Sequence, residues 1–235
     1  MMVRARQVWA NLAGAPIAFP AVGEVSVVVS PGSQLCPRSW VGVVKLGDAA
    51  IATAFDHHTA VILRATFGRL PVASLTDVDR LGEVLPVVAV LGPATLAYTD
   101  TRDFCPADGA GIVQALPAGH RGLAALMACV DEEEAGESGI DEITSSVFVV
   151  RDEDDVVAAA GYQQWPGSVA HLCVLTSPKH RGRGLARVAA SAAVADALAK
   201  DLLPQWRARP DASRRVARVL GFHELGLQLS VQLET

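Results

Sequence analysis

The chain has 235 residues, enough for one large domain or two small ones that each bury a core. Its 20 lysines and arginines against 25 aspartates and glutamates leave a net charge of −5, which argues against a general nucleic-acid binder. The apolar residues are largely alanine and valine in short runs. None reaches transmembrane length, and Met1-Met-Val-Arg-Ala-Arg6 lacks the long apolar core of a signal peptide behind it, so a cytoplasmic protein without a membrane partner is expected.

In the first half, residues 4–12 fit a short helix. Strand patterns follow at 25–30, 40–46, 61–66 and 85–91, separated by glycine- and proline-bearing turns, and 74–85 fits a short amphipathic helix behind a Ser or Thr cap. His57 and His58 alternate faces on a strand and have no third ligand nearby, so they read as loop residues. Cys36, Cys105, Cys129 and Cys173 show neither CxxC nor Cys/His spacing, and no metal is expected. Cys129 and Cys173 fall within apolar patterns and read as buried free thiols. The stretch 101–109 is polar and turn-rich. It divides the chain into an N-terminal α+β domain of unknown role, 1–109, and a second domain, 110–235.

Past that boundary, 112–116 reads as a strand and 120–133 as one helix, with Leu123, Leu126, Met127 and Val130 on one face. Asp131-Glu-Glu-Glu134 would close this helix, where acids oppose the macrodipole. Asp141 and Glu142 follow in a loop and are most simply surface acids. Strands are expected at 147–151 and 155–165, around the acidic turn Asp152-Glu-Asp-Asp155, and again at 169–176 and 204–208. An alanine-rich helix starts at Leu185. A last helix over 211–222 has Asp211 as its cap, Val216, Val219 and Leu220 at helical spacing, and Gly221 as its stop.

The most informative segment joins the 169–176 strand to the Leu185 helix. Lys179, His180, Arg181 and Arg183 interleave there with Gly182 and Gly184. A helix N-terminus offers unpaired N–H groups and the positive end of the macrodipole, glycine lets backbone approach a ligand closely, and basic side chains add charge-assisted hydrogen bonds. The pattern is a phosphate cradle. It has no Gly-Lys-Ser/Thr end of a Walker loop and not the glycine spacing of a dinucleotide fingerprint. A solvated turn, or an interaction domain whose basic turn takes any phosphate, stays open.

Arg181-Gly182-Arg183-Gly184-Leu185-Ala186 resembles the Arg/Gln-x-x-Gly-x-Gly/Ala signature of the GCN5-related N-acetyltransferases (GNAT). The ending Leu220-Gly221-Phe222 resembles that family's closing helix, and the element order from about residue 110 also follows it. The resemblance implies a mixed central sheet of acyl-CoA N-acyltransferase type with flanking helices, an α/β (α+β) fold. It also implies transfer of an acetyl group from acetyl-CoA, as co-substrate, to a primary amine of a small molecule or a protein by direct attack in a ternary complex. Carried onto this sequence, Val174, Leu175 and Thr176 line the pantetheine arm and supply the backbone donor for the thioester carbonyl. Arg181, Gly182, Arg183, Gly184, Leu185, Ala186 and Arg187 take the pyrophosphate, and Ser213 is a further cofactor contact.

His171 is the candidate base: it titrates near neutrality and shares a strand face with Cys173 and Leu175. Trp165 and Trp206 would border the acceptor groove, and Asp141 and Glu142 could draw in an ammonium group. Two positions depart from the family's pattern. Ala217 stands where many members have a tyrosine acid for the thiolate, and Pro210 where an asparagine often opens the helix. The missing tyrosine keeps open a non-catalytic acyl-CoA-binding or regulatory module, and a homodimer also stays open.

Overall fold

The computed structural model describes residues 1–234. In chain order its elements are helix α1 (Met2–Leu12), strands β1 (Val25–Val29), β2 (Val41–Leu46) and β3 (Ala49–Ala54), helix α2 (His57–Phe67), a 3-10 turn (Val72–Thr76), helix α3 (Val78–Gly82) and strand β4 (Val87–Tyr98). Then come β5 (Val113–Leu116), α4 (Arg121–Met127), α5 (Glu132–Ser138), β6 (Val147–Asp152), β7 (Asp155–Trp165), β8 (Val169–Thr176), α6 (Leu185–Ala199), β9 (Leu203–Ala208), α7 (Asp211–Val219) and β10 (His223–Leu233). Two compact units result. The first holds Met1–Ala97, Ala208–Pro210 and the chain from Glu224 on; the second holds Tyr98–Arg207 and Asp211–His223. These units do not follow a single cut at 109, because β10 pairs antiparallel with β2, Gly226 opposite Leu46 through Val231 opposite Val41.

In the first unit the strand order is β1-β3-β2-β10-β4, with β1 parallel to β3. Val41, Val43, Ala52, Leu63, Phe67, Leu75, Leu229 and Val231 share one core. The 61–66 run, expected as a strand, lies inside α2. Asp56 caps this helix, its Oδ1 accepting from Thr59 N–H at 2.7 Å, and Ala60, Leu63 and Phe67 are buried at helical spacing. The cap and the core-facing stripe override the β-branched run. His57 and His58 are exposed in the first turn of α2. Strand β3 was not anticipated: Ala-Ala-Ile-Ala-Thr-Ala is poor in strand-favouring residues, and it is wholly buried between β1 and β2. The expected 74–85 helix is a 3-10 turn followed by the short α3, capped by Asp77 rather than by Ser or Thr.

The second unit has the strand order β9-β8-β7-β6-β5. β5 through β8 are antiparallel, with Ala158 opposite Thr176 and Trp165 opposite Val169 across β7 and β8. Only β9 runs parallel to its neighbour β8. One face carries Val147, Val149, Ala159, Cys173 and Leu175, packed under Leu123 and Leu126 of α4 and Ile140 and Ile143. α6 covers the opposite face with a buried stripe of Ala189, Ala190, Ala193, Val194 and Ala197. It is tied to β7 where Tyr162 O–H donates to Asp196 Oδ2 at 2.7 Å.

The helix expected over 120–133 is two helices. Asp131 Oδ1 accepts from Glu134 N–H at 2.8 Å and starts α5, so the acidic run sits at a helix N-terminus, where the dipole favours it. Cys129 falls in the break and is exposed rather than buried. At the end of α7, Gly221 has φ +84°, and a Cβ there would lie 1.9 Å from the Asp103 carbonyl oxygen. The stop is therefore a close backbone approach as well as a left-handed turn, and Cys105 N–H donates to Leu220 O at 3.1 Å beside it. Gly221→Ala is expected to lower the chemical-denaturation stability by about 2 kcal/mol or more, since left-handed strain alone is worth about 1–2 kcal/mol. Urea melts of the two proteins check this.

Candidate functional site

Strands β8 and β9 pair over three rungs only: Val169 with Leu203, Ala170 with Pro204 and His171 with Gln205. Beyond that rung β8 continues against β7 but has no partner from β9, so Val174, Leu175 and Thr176 stand on an edge left open between two parting strands. An open edge in this position can take an extended ligand by backbone pairing, as an added strand would.

At the end of that edge the chain turns through Pro178–His180 into the glycine loop. Gly182 and Gly184 have φ +76° and +78°, and a Cβ on either would meet nothing within 4 Å, so the space over both is open. α6 begins at Leu185 with Gly184 as N-cap and no side-chain cap. The first backbone bond at this end is Val188 N–H to Gly184 O at 3.2 Å, which leaves the N–H groups of Leu185, Ala186 and Arg187 at the exposed turn. Three buried polar atoms around the loop have no partner: Thr176 Oγ1, His180 Nδ1 and Arg187 Nε. Unpaired donors around an uncapped helix start in open space fit a phosphate group.

The basic side chains are not equivalent. Arg181 points back to the protein: its Nε donates to Thr176 O at 3.3 Å and its Nη2 pairs with Glu134 of α5. His180 Nε2 lies 3.1 Å from Asp152 Oδ2. Arg183 is exposed and Arg187 is half-buried. Sequence spacing could not foresee that the acids of α5 reach the loop, because Glu134 and Arg181 are 47 residues apart. On α7, Ser213 Oγ accepts from the Trp206 indole N–H at 3.0 Å, and Trp206 packs edge-on against Phe222 at 5.5 Å. Ser213 therefore anchors Trp206, while Ala217 is on the buried side of α7.

His171 is buried, 8% exposed, in the last rung. Its ring stacks on Trp165 at 4.2 Å and 15°, and its Nδ1 hydrogen-bonds Gln205 Oε1. Burial, then the Arg207 charge, push it down to about 3, against a weaker opposing effect of the Gln205 bond. The imidazole is consequently neutral through the physiological range, and the neutral-pH titration expected of a base does not come from it. Cys173, two residues on, is a buried thiol pushed up to about 12, chiefly by burial. Asp141 and Glu142, exposed acids of the 140–142 turn that packs on β7 and β8, both act on this thiol. Among the described residues, no group of three or more His, Cys, Asp or Glu could hold a metal ion. No helix among them is long and apolar enough to cross a membrane.

The site thus joins a parallel strand pair that opens after three rungs, a glycine loop and an uncapped helix start. Residues 147–226 match the family model described as GNAT acetyltransferase. A GCN5-related N-acetyltransferase from Kribbella flavida shares the fold, with 16% identity, a TM-score of 0.53, and coverage of 99% of this chain and 95% of that one. An acetyltransferase of the GNAT family from Novosphingobium aromaticivorans DSM 12444 is 20% identical with a TM-score of 0.49, covering 63% of this chain and 67% of that one. A GCN5-related N-acetyltransferase-like protein from Streptococcus suis 89/1591 is 16% identical with a TM-score of 0.47, covering 83% and 84%. No curated protein matches the chain by sequence.

The buried His171 links folding to pH. Between its ordinary value of 6.5 and about 3 the unfolded chain binds a proton that the folded ring refuses. Stability should therefore fall as pH drops through that window, by up to about 1.4 kcal/mol per unit. Denaturant midpoints between pH 7 and pH 4 should show this slope, and His171→Gln should flatten it.

Proposed function

We propose that the chain is an acetyl-CoA-dependent N-acetyltransferase acting on a primary amine of a small molecule or a protein. The single observation that carries this is the open edge of β8, which leads directly into the uncapped start of α6. The family match and the shared fold support acyl transfer in general. The backbone N–H groups from Gly182 to Arg187, with Arg183 and Arg187 beside them, would hold the pyrophosphate, and Val174, Leu175 and Thr176 would pair with the pantetheine arm. Arg181 would contribute mainly by fixing the loop to Glu134 and Thr176 O. Ser213 would act through Trp206.

The bound thioester supplies an activated carbonyl whose leaving group is a thiolate. In the ternary complex the amine lone pair adds to that carbonyl, the C–N bond forms and the C–S bond breaks. The sulfur leaves as thiolate and the amine proton passes to water. A CoA thiolate is a fair leaving group, so Ala217 in the place of an acid does not block the step. The acids Asp141 and Glu142, near β8, favour a cationic amine in solution as the approaching partner.

A second reading, an acyl-CoA-binding module without turnover, draws on the buried Ala217. Free thiol released from acetyl-CoA with a panel of amines separates the two: amine-dependent release supports the enzyme, and tight binding without release supports the module. Gly184→Asp places a carboxylate in the open space at the helix start. Charge-assisted contacts there are worth about 1.5–3 kcal/mol, so acetyl-CoA affinity should fall about 10–100-fold or more. Arg183→Ala should weaken it less, since backbone N–H groups provide the fixed geometry. Calorimetric titration measures both; unchanged affinity in Gly184→Asp would remove the phosphate loop from the account.

A further inference from the structure

Gln205 occupies the rung at which β8 and β9 separate, and the proposed chemistry leaves it unused. Its side chain is 0% exposed. Its Oε1 meets His171 Nδ1, while its own amide nitrogen, equally buried, has no partner. The imidazole is held on a second side by the stacked Trp165, whose indole N–H donates to Gln163 Oε1 at 2.8 Å; Gln163 stands directly opposite His171 in the β7–β8 register. Stacking fixes the ring plane and Gln205 fixes its rotation. A carboxamide oxygen only accepts, so the ring proton belongs on Nδ1 and the lone pair on Nε2.

We propose that Gln205 is a positioning residue that holds His171 as its neutral Nδ1–H tautomer, so that Nε2 accepts a hydrogen bond from the N–H of the acceptor amine and aims the amine lone pair at the thioester carbonyl. No proton moves onto the ring. The approaching ammonium gives one proton to water and enters as the free base, a second N–H proton leaves to water as the C–N bond forms, and the thiolate departs as the C–S bond breaks.

The charged and titratable groups around the ring favour the neutral form. Arg207 on β9 opposes an imidazolium, and the Cys173 thiol on β8 is un-ionised. β7 contributes the uncharged Gln163 and Trp165. From the 140–142 turn, Asp141 and Glu142 are exposed carboxylates that act on Cys173. Like the loop assignment, this role rests on the acetyltransferase reading.

The test combines nitrogen-15 NMR of the histidine rings in the full chain with steady-state kinetics. Wild type should show His171 protonated at Nδ1 and bare at Nε2 from pH 5 to 8, with no titration, and kcat without a limb from this ring. Gln205→Leu should lose the tautomer preference and lower kcat at least tenfold, with KM for acetyl-CoA near wild type. Gln205→Glu sets a carboxylate against Nδ1–H; the ring should then titrate within the measured range, and kcat should gain a limb at that pH. A wild-type ring protonated at Nε2 overturns the proposal without any variant having to fold. So does Gln205→Leu with the tautomer lost and kcat retained. Acetyl-CoA binding with no thiol release for any amine would remove the acetyltransferase reading, and this role with it; the two preceding outcomes remove only the role of Gln205.

Discussion

The parallel pairing of β8 with β9 lasts three rungs, and the functional architecture of the second unit depends on its ending there. Had the pairing continued, every backbone group of β8 would be spent on neighbouring strands. Because it stops at His171 and Gln205, the rest of β8 keeps one side bonded to β7 and the other side available. Unpaired strand edges are ordinarily a liability, and natural sheets cover or interrupt them. Here the edge runs into a turn and a helix start whose own N–H groups are uncapped, so two sets of unmet donors and acceptors adjoin. Both needs are of the kind that an extended, phosphate-bearing thioester meets.

Electrostatics around the loop divides into a fixed part and an open part. Arg181 and His180 are engaged with Glu134 and Asp152, which ties the loop to α5 and to the end of β6. These are partly exposed pairs, each worth little in isolation. Their value lies in holding the loop in shape while the backbone at Gly182 and Gly184 faces open space. The net charge of −5 sets this locally basic helix start against an acidic background.

Much of the second unit was legible in the sequence, for physical reasons that differ by element. β7 and β8 read cleanly because their apolar runs are bounded by acidic and glycine turns, and α6 because its alanine stripe starts at a glycine pair. Gly221 was legible as a helix stop, while the backbone of Asp103 closing on it was not, since 118 positions separate them. The 61–66 run failed in the opposite sense. Val-Ile-Leu-Arg-Ala-Thr is locally strand-like, and Asp56 with the core positions Leu63 and Phe67 decides for helix. The 120–133 pattern merged two helices because periodicity continues past Met127, whereas Asp131 acts as a new cap. His171 was legible as a residue of the 169–176 strand. Its partner Gln205, its stacking on Trp165 and its resulting neutrality depend on three strands meeting, which no single window of sequence contains.

The central claim is that an acyl-CoA lies along the open edge of β8 with its pyrophosphate at the start of α6. Amide hydrogen exchange of the full chain, with and without saturating acetyl-CoA, reads both places at once. New protection is expected in two stretches, 172–176 and 182–188, with β6 and the core of α6 unchanged. Protection confined to the 182–188 stretch for acetyl-CoA and inorganic phosphate alike would contradict it, because the strand edge would then hold nothing.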